Sequence, residues 1–322
     1  MTLVAVLTNP KSTRNLSVLE KVRTVIDGYN GVFHFEIGDV ADIPLALKRF
    51  AEYGADLLVI NGGDGTIQAT FSAMVNTRPF KTPPPIAILP AGKTNMIAED
   101  LGAGSPRPHL YLRRILDLAA TGELDPHTIE RHLLKIEGIP GHPPLYGMFM
   151  GAAGIVNGIR MCRRRIYPLG LPNALAHTAA VFLVTLGTLT GGFGMGGRPS
   201  PIQVYLDNRG MVMGRYSLVI ATTLDRLILG FRPFSREGQG PVKYISVENG
   251  GATLVRAIWL AVTGRIRTRT TAGLTARNVR RVRLRLDGAV TIDGELYTVE
   301  DGREIALSSD EKFRFLNLGN LK

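Results

Sequence analysis

The chain is poor in cysteine and begins without a basic leader. Cys162 is the single cysteine among 322 residues, which excludes a disulfide framework and is typical of a reducing compartment. Residues 1–7 are almost entirely apolar and continue directly into Thr8-Asn9-Pro10. This start predicts a first buried strand rather than a signal peptide, and therefore a cytoplasmic protein.

Charged residues are absent between Arg165 and Arg198. Prolines and glycines interrupt this segment, and its continuous apolar part, residues 174–189, is shorter than the ~20 residues that span a bilayer. We therefore expect a buried or lipid-facing helix here and no transmembrane helix.

Acidic residues are absent from residues 256–285, which contain nine arginines. Such a surface attracts a polyanion, either nucleic acid or anionic lipid head groups. Trp259 is the one aromatic residue of the stretch, too few for base stacking, so we expect an anionic membrane surface and no nucleic acid as partner. A solvated strand face is the alternative, because three of the arginines alternate with apolar residues. The nine are Arg256, Arg265, Arg267, Arg269, Arg277, Arg280, Arg281, Arg283 and Arg285.

With 45% hydrophobic residues the chain can bury two cores, and its pattern changes near residue 128. Residues 1–127 alternate apolar strands with helical patterns, which predicts an α/β domain with a doubly wound, Rossmann-like parallel sheet and helices on both faces. Ligands of such sheets bind beyond the carboxyl ends of the strands. The predicted strands are 3–7, 32–37, 57–60 and 86–89, and the predicted helices are 16–29, 43–53, 67–75, 96–101 and 110–119.

Residues 128–322 contain short alternating runs punctuated by Gly, Pro, Asn and Asp. This pattern predicts an all-β domain of the sandwich type, with helical insertions at 173–189 and 254–263. The last residues are free to pack back on the first domain. The predicted strands are 133–136, 145–150, 202–206, 216–221, 244–247, 282–286 and 290–292.

The segment Asn61-Gly62-Gly63-Asp64-Gly65-Thr66 lies between a predicted strand and a predicted helix. Glycines cost backbone entropy, and a turn keeps them where side chains would obstruct a ligand. Backbone N–H groups at a helix N-terminus bind anions, so a phosphate chain is the expected ligand. An acid there repels phosphate unless it carries a magnesium ion or accepts a proton from a reacting hydroxyl. Asp64 therefore indicates phosphoryl transfer, and an ordinary turn is the plainer alternative.

Two more loops follow strand ends. In Asn9-Pro10-Lys11-Ser12, both Lys11 and Ser12 could reach a phosphate. The segment Pro90-Ala91-Gly92-Lys93-Thr94-Asn95 contains the Gly-Lys-Thr of a Walker A loop. Such a loop also needs a glycine five residues earlier, where this chain has Ala87, so a P-loop is not expected.

The ordered set of motifs resembles the diacylglycerol-kinase catalytic family, which includes sphingosine and ceramide kinases and bacterial lipid kinases. The family carries Asn-Pro-x-Ser, Gly-Gly-Asp-Gly-Thr, Pro-x-Gly-Thr-x-Asn followed by Leu-Gly, and a late Asp-Gly-Glu. The chain supplies the first three in the loops above, together with Leu101-Gly102, and ends the set with Asp293-Gly294-Glu295.

The resemblance implies a two-domain lipid kinase that uses ATP and Mg²⁺, peripheral to the inner face of the membrane, with the lipid bound against a β-rich lipid-binding domain. It implies Asp64 or Glu295 as general base, since both carboxylates have that role in relatives, and the choice stays open. A hairpin turn is the alternative for residues 293–295. The residues expected to bind ATP are Asn9, Lys11, Ser12, Gly62, Gly63, Gly65, Thr66, Gly92, Lys93, Thr94 and Asn95.

The chain departs from the family pattern at several positions. Lys93 replaces a threonine and could contact phosphate directly, and His34 replaces another threonine. The family's magnesium-binding Asp-Gly of the β domain should fall near residues 236–240, which contain no Asp. Either Glu237 replaces it as the metal ligand or that metal site is lost.

Two rival functions remain open at this stage. Nicotinamide-dinucleotide kinases also carry Gly-Gly-Asp-Gly-Thr after a strand, although the loop at 90–95 and residues 293–295 do not favour them. A catalytically inactive lipid-binding protein of the same fold is the other, motivated by Lys93 and the missing Asp. Residues 148–154 and 166–197 could contact an acyl chain, and ordinary core packing is their alternative.

Overall fold

The computed structural model describes residues 2–103, 107–156, 201–207, 210–227, 232, 237–263, 266, 272–300 and 302–319. Several predictions fall outside these residues: the helix at 173–189, the lipid-covering segment 166–197, and the arginines at 265, 267 and 269. The chain divides into two units, Met1–Leu133 with Glu311–Lys322 and Leu134–Asp310.

Parallel strands form the centre of the first unit. β1 (Val4–Thr8), β3 (Leu57–Gly62) and β4 (Ile86–Pro90) are buried along their whole length. Nearly continuous apolar sequence is typical of parallel strands that are covered on both faces. β2 (Val32–Glu36) pairs with β1, and all four strands are parallel, as predicted.

Two strands from beyond the predicted domain boundary complete this sheet. β18 (Lys312–Leu316) pairs in parallel with β4, and β5 (Thr128–His132) pairs antiparallel with β18. The strand order is β2-β1-β3-β4-β18-β5. The sheet is therefore mixed, and the prediction of a wholly parallel sheet is wrong at β5. β5 runs antiparallel to β18, and an antiparallel neighbour needs no crossover helix.

Helices cover the first sheet. Val4 and Val6 of β1 join a hydrophobic core with residues of two helices, while Ala5 is equally buried. Because successive strand residues face opposite sides, the sheet is buried on both faces. The helices are α1 (Asn15–Asp27), α2 (Ile43–Glu52), α3 (Asp64–Thr77), α4 (Met96–Asp100) and α5 (Pro108–Thr121), with 3₁₀ turns at Val40–Asp42 and Asp125–His127.

The second unit contains two six-stranded antiparallel sheets, in the orders β10-β9-β14-β17-β6-β7 and β13-β12-β11-β8-β15-β16. Apolar residues of both sheets form one hydrophobic core. The strands are β6 (Leu134–Glu137), β7 (Leu145–Gly147), β8 (Phe149–Ala153), β9 (Ile202–Leu206), β10 (Met211–Gly214), β11 (Tyr216–Thr222), β12 (Val242–Glu248), β13 (Leu274–Val279), β14 (Arg281–Arg285), β15 (Gly288–Ile292), β16 (Glu295–Val299) and β17 (Glu304–Ser308).

The second unit also contains a helix that follows one of its long strands. α6 (Gly251–Val262) follows β12, where a helical insertion was predicted. Among the helices of the described residues, none is both long and apolar enough to cross a membrane.

Candidate active site

Three strand ends of the first unit lie side by side. Thr8 of β1 pairs with Asn61 of β3, and Asn61 pairs with Leu89 of β4. Because the strands are parallel, the loops that follow them leave the same edge of the sheet. These are the loops predicted to bind phosphate.

Side-chain hydrogen bonds join the first loop to the second. The Asn9 Nδ2 atom donates to Thr66 Oγ1 over 2.9 Å, and the Gly63 N–H donates to Ser12 Oγ over 3.2 Å. Ser12 and Thr66 are buried, so these bonds lie in a protected part of the site. The structure thus brings together four of the predicted ATP-binding residues.

Glycines allow the second and third loops to touch. A Cβ atom on Gly92 would lie 2.6 Å from the Gly63 Cα atom, and one on Gly63 would lie 3.2 Å from the Gly92 Cα atom. A Cβ on Gly62 would lie 2.7 Å from the Thr66 side chain. The contacts at Gly92 and Gly62 are closer than a Cβ atom tolerates, and the contact at Gly63 is tight, so the packing of these loops favours glycine at all three positions.

Asn95 closes the third loop on itself. Its Oδ1 atom accepts the Gly92 N–H over 2.7 Å, and its Nδ2 atom donates to the Gly92 carbonyl over 2.9 Å. The residue is buried with φ at +56°, a left-handed conformation that asparagine adopts more readily than most residues. Lys93 and Thr94 lie half-buried within the loop that this amide holds.

Asp64 connects the second loop to the third. It is the first residue of α3, and its Oδ1 atom accepts the Ile97 N–H at the start of α4 over 3.3 Å. Burial raises the pKa of the Asp64 carboxyl to about 6, and hydrogen bonds from the backbone at residues 95–97 oppose that rise. The carboxylate therefore has a structural role besides the two considered from the sequence, because it is stabilised by the N-terminus of a neighbouring helix.

Lys11 contacts a fourth loop. Its Nζ atom donates to the Gly38 carbonyl over 2.5 Å, just beyond β2. The Lys11 N–H also donates to Asn9 Oδ1 over 3.0 Å, which shapes the first loop. The ammonium group thus lies at the edge of the strand ends rather than within the contacts between the glycines.

Two buried amides lie beneath the loops, and one of them, Asn15, was missed in the sequence. Asn15 and Asn61 are almost fully buried, and Asn15 Nδ2 donates to the carbonyls of Asn9 and Asn61. The Oδ1 atoms of both residues have no hydrogen-bond partner within the described residues. His34 lies nearby, with Nε2 2.9 Å from Thr8 Oγ1, and burial lowers its pKa. Asn15 carried no signal in the sequence, because it reads as an ordinary first residue of a helix.

The N-terminus of α3 is suited to an anion. The first turn of a 14-residue helix presents N–H groups that have no partner within the helix, and its dipole favours negative charge. The glycines keep side chains away from these groups, which fits a phosphate chain. Asp64 is the acid of this turn, and Mg²⁺ is commonly held by one or two carboxylates together with substrate phosphates. The residues present therefore fit ATP with its magnesium ion.

Asp293 and Glu295 of the second unit have different environments. Asp293 (φ +46°) and Gly294 (φ +89°) connect β15 to β16, as in a type I′ hairpin turn. The Asp293 carboxylate is buried and accepts the N–H groups of Met148 and Phe149 over 2.9–3.3 Å. Glu295 is exposed. The hairpin considered as the plainer alternative is thus present, and it leaves Glu295 accessible.

Gly147 lies against the Asp293 carboxylate, and its importance was missed in the sequence. A Cβ atom at residue 147 would lie 2.0 Å from Asp293 Oδ2. A glycine is therefore needed for this carboxylate to reach the backbone between β7 and β8. A lone glycine before Met148 gives no signal of that need.

Comparison with known families gives a match within the first unit. Residues 3–125 match the diacylglycerol kinase catalytic domain. The resemblance predicted from the motifs is confirmed over this part of the chain, which holds the three strand-end loops and Asp64. It supports a lipid kinase family. A comparison with curated protein sequences gave no match.

Solved structures extend the likeness to the fold of the whole chain. Two solved structures from Bacillus anthracis strain Sterne, provisionally described as diacylglycerol kinases, are 15% identical to this chain, with TM-scores of 0.67 and 0.64. A third from the same strain, described as a diacylglycerol kinase, is 14% identical with a TM-score of 0.61. Each alignment covers 98% of this chain and 96–97% of the other. At these identities the likeness concerns the fold alone.

Glu237, the predicted metal ligand in the second unit, contacts an arginine. Its Oε2 atom lies 3.5 Å from Arg277 Nη2, and its carbonyl accepts the Asn278 N–H. No three His, Cys, Asp or Glu side chains gather as metal ligands in the described part of the chain. A metal at Glu237 stays a prediction without support from its described neighbours.

The predicted basic patch is partly neutralised. Arg283 and Arg285 both contact Glu304, at 3.6 and 3.2 Å, and the Arg283 guanidinium lies over the Tyr205 ring. Arg280 and Arg281 are exposed and form no ion pair within the described residues. In β14, alternate arginines face away from the core. This matches the solvated strand face that was the alternative to a membrane-binding patch.

Proposed function

We propose that the protein is an ATP- and Mg²⁺-dependent lipid kinase that transfers the γ-phosphate to the primary hydroxyl of a membrane lipid. Diacylglycerol, ceramide and sphingoid bases are the leading acceptors. The proposal rests on one observation above all: glycines of two loops touch beside the N-terminus of α3, at the aligned ends of parallel strands. The match to the diacylglycerol kinase catalytic domain covers the same loops.

ATP phosphates fit against the N-terminus of α3. The N–H groups of Gly65 and Thr66 lie in its first turn, and Lys93 supplies a cation from the neighbouring loop. Asn9 and Ser12 hold the turn from one side, and Asn95 holds the Lys93 loop from the other. Fixed dipoles of this kind stabilise charge that develops on the transferred group, the largest contribution in phosphoryl transfer.

Asp64 is suited to hold the magnesium ion that accompanies ATP, which when bound neutralises charge on the phosphates. Its carboxylate lies in the first turn of α3 and is oriented by the N–H of Ile97. The raised pKa, about 6, still leaves the carboxylate ionised at neutral pH, so it can act as ligand or as proton acceptor.

The reaction requires one proton acceptor. The lipid hydroxyl loses its proton to a carboxylate, its oxygen bonds to the γ-phosphorus, and the bond from that phosphorus to the β-phosphate oxygen breaks. Asp64 and Glu295 are the two candidates, one in each unit. An aligned carboxylate contributes about 10²–10⁴-fold to such a step.

A phosphoryl-transfer assay tests the proposal. Radiolabelled ATP is supplied with detergent-dispersed diacylglycerol, ceramide, sphingoid base or soluble nicotinamide dinucleotide, and labelled products are separated by phase. We expect label in one of the lipids, lost when magnesium is chelated. Label in the dinucleotide would establish the rival kinase, and binding of lipid with no transfer to any acceptor would establish the inactive lipid-binding protein.

A further inference from the structure

An exposed apolar strand marks one edge of the second unit. Met211, Val212 and Met213 of β10 are 50–58% exposed, and β10 is the last strand of its sheet. Met211 and Met213 lie opposite Tyr205 and Gln203 of β9, whereas Val212 faces the other side of the sheet. Apolar side chains therefore project from both faces of an edge strand, where soluble proteins usually place charge or proline.

A second exposed apolar element lies on α6. Leu254 and Ala257 are buried, while Val255 and Trp259 are 40% and 52% exposed. Residues four apart occupy the same face of a helix, so Val255 and Trp259 form one outward stripe. Tryptophan prefers the boundary between water and lipid, because its ring is apolar and its N–H is polar.

Hydrogen bonds connect the residues just after β10 to the residue just before α6, and this connection is called the joint below. The Asn249 N–H, just before α6, donates to the Arg215 carbonyl over 2.8 Å, and Arg215 follows β10 directly. Ser217 Oγ lies 3.3 Å from Asn249 Oδ1, a second contact across the same joint. The apolar end of β10 and the start of α6 are therefore neighbours within one unit.

Positive charge surrounds the joint. Arg215 and Arg256 are exposed, and neither forms an ion pair with a described residue. Glu248, exposed at the end of β12, is a nearby carboxylate, so the arginines are in excess. Exposed apolar side chains flanked by exposed arginines match a bilayer whose head groups carry negative charge.

We propose that Met211, Val212, Met213, Val255 and Trp259, with Arg215 and Arg256, form a docking surface for anionic membranes. A second copy of the chain is the competing occupant, because an apolar edge strand can pair with itself. Symmetric pairing would bring the excess positive charge of the surface against itself, which opposes association. Both the proposed function and this docking involve a bilayer, but docking requires no nucleotide.

The single tryptophan provides a direct test with the unmodified protein. Trp259 is the one tryptophan in the chain, so its emission reports on this surface alone. Vesicles of phosphatidylcholine mixed with phosphatidylglycerol, with brominated acyl chains, should sediment the protein and quench its emission. Vesicles of phosphatidylcholine alone should do both weakly. Sedimentation without quenching, or no sedimentation with either vesicle, would overturn the inference.

Paired variants separate the contributions of charge and apolar contact. Each arginine near an anionic surface contributes about fivefold to partitioning, so Arg215→Gln with Arg256→Gln should lower it about 25-fold at low salt. Met211→Ser with Met213→Ser should lower it about tenfold or more. Arg303→Gln and Leu16→Ser, at other exposed positions, are the matched controls and should bind as the unmodified protein does.

Two results would assign the surface to other roles. Concentration-dependent dimers that Met211→Ser with Met213→Ser abolishes, without vesicle binding, would assign the surface to a second copy. Controls that weaken binding as much as the test variants would show that no defined surface is used. The vesicle assay contains no ATP, so its failure leaves transfer to detergent-dispersed lipid intact, and a failed kinase assay leaves vesicle binding intact.

Discussion

The same dipeptide, Asp-Gly, occurs at residues 64–65 and 293–294 and forms two different structures. Asp64 follows a strand and opens the helix α3, whereas Asp293 follows a strand and turns directly into another. Asp293 and Gly294 both have positive φ, and neither Asp64 nor Gly65 does. The element that follows the dipeptide decides between a helix start and a hairpin.

Both aspartates nevertheless hold a neighbouring backbone. Asp64 accepts the Ile97 N–H from α4, and Asp293 accepts two N–H groups from the connection between β7 and β8. The difference lies in exposure: Asp293 is 1% exposed, whereas Asp64 is half-buried beside the loops predicted to bind phosphate. We therefore expect Asp64 to matter most for activity and Asp293 most for stability.

The largest expected effect is on activity. Asp64→Asn should lower kcat about 10²–10⁴-fold in the transfer assay, because the amide can neither hold a magnesium ion as strongly nor accept the proton. Glu295→Gln is the matched change in the second unit, and a loss of similar size there would identify it as the proton acceptor. Full activity of both variants would remove carboxylate catalysis from the account.

We expect the free energy of unfolding to depend on Asp293 and to depend little on Glu295. Asp293→Ala leaves the buried N–H groups of Met148 and Phe149 without an acceptor, which should cost about 2–4 kcal/mol in the free energy of unfolding. Denaturant titration measures this loss. Glu295→Gln, two residues away on an exposed position, is the control and should change stability by less than about 0.5 kcal/mol. Equal losses in the two variants would contradict the structural role of Asp293.

The pH dependence of stability tests the environment of Asp64. Its pKa is about 6 in the folded protein against an ordinary value of 3.8, so ionised Asp64 favours the unfolded state. The unmodified protein should lose stability relative to Asp64→Asn as pH rises from about 4 through 6, and the gap should reach about 2–3 kcal/mol above pH 7. A gap that is constant with pH would show that the carboxyl is not perturbed.

The smallest effect concerns the backbone of the hairpin. Gly294 has φ of +89° and open space around the position of a Cβ atom, so Gly294→Ala should cost only the backbone strain, about 1 kcal/mol. Gly210→Ala, also in open space but without positive φ, should be close to neutral. Thermal unfolding of both variants checks the difference, and a neutral Gly294→Ala would contradict the assigned turn.

Local pattern predicted most of the first unit. β1 to β4 and α1 to α5 all lie where apolar periodicity placed them, because each is a strand or helix with a strongly apolar face. α3 begins at Asp64, three residues before the predicted start. The prediction began late because glycine, which has a low helix propensity, lies at the start of this helix. β18 and its neighbour β5 were assigned to the second domain. The last residues were expected to be able to pack back on the first domain, but nothing local shows that residues 312–316 pair with β4.

The site could be predicted only at the level of its loops. The motifs contain Asn9, Ser12, Gly63, Thr66 and Gly92, and hydrogen bonds and close contacts join these residues in the first unit, while their role in binding ATP stays a prediction. The bond from Ile97 to Asp64 could not be predicted, because it joins residues 33 apart through the packing of two helices. In the second unit, β10 was missed because its exposed apolar residues do not alternate with polar ones.

The central claim is that the loops at residues 9–14, 62–66 and 90–95 hold the phosphates of ATP. Amide hydrogen exchange with and without ATP and Mg²⁺ tests it most directly, with Gly92→Ala as the control, since its Cβ would meet Gly63 Cα at 2.6 Å. We predict that ATP slows exchange in these three loops of the unmodified protein and has little effect on the variant. Nucleotide-dependent protection confined to other segments, with these loops unchanged, would contradict the account.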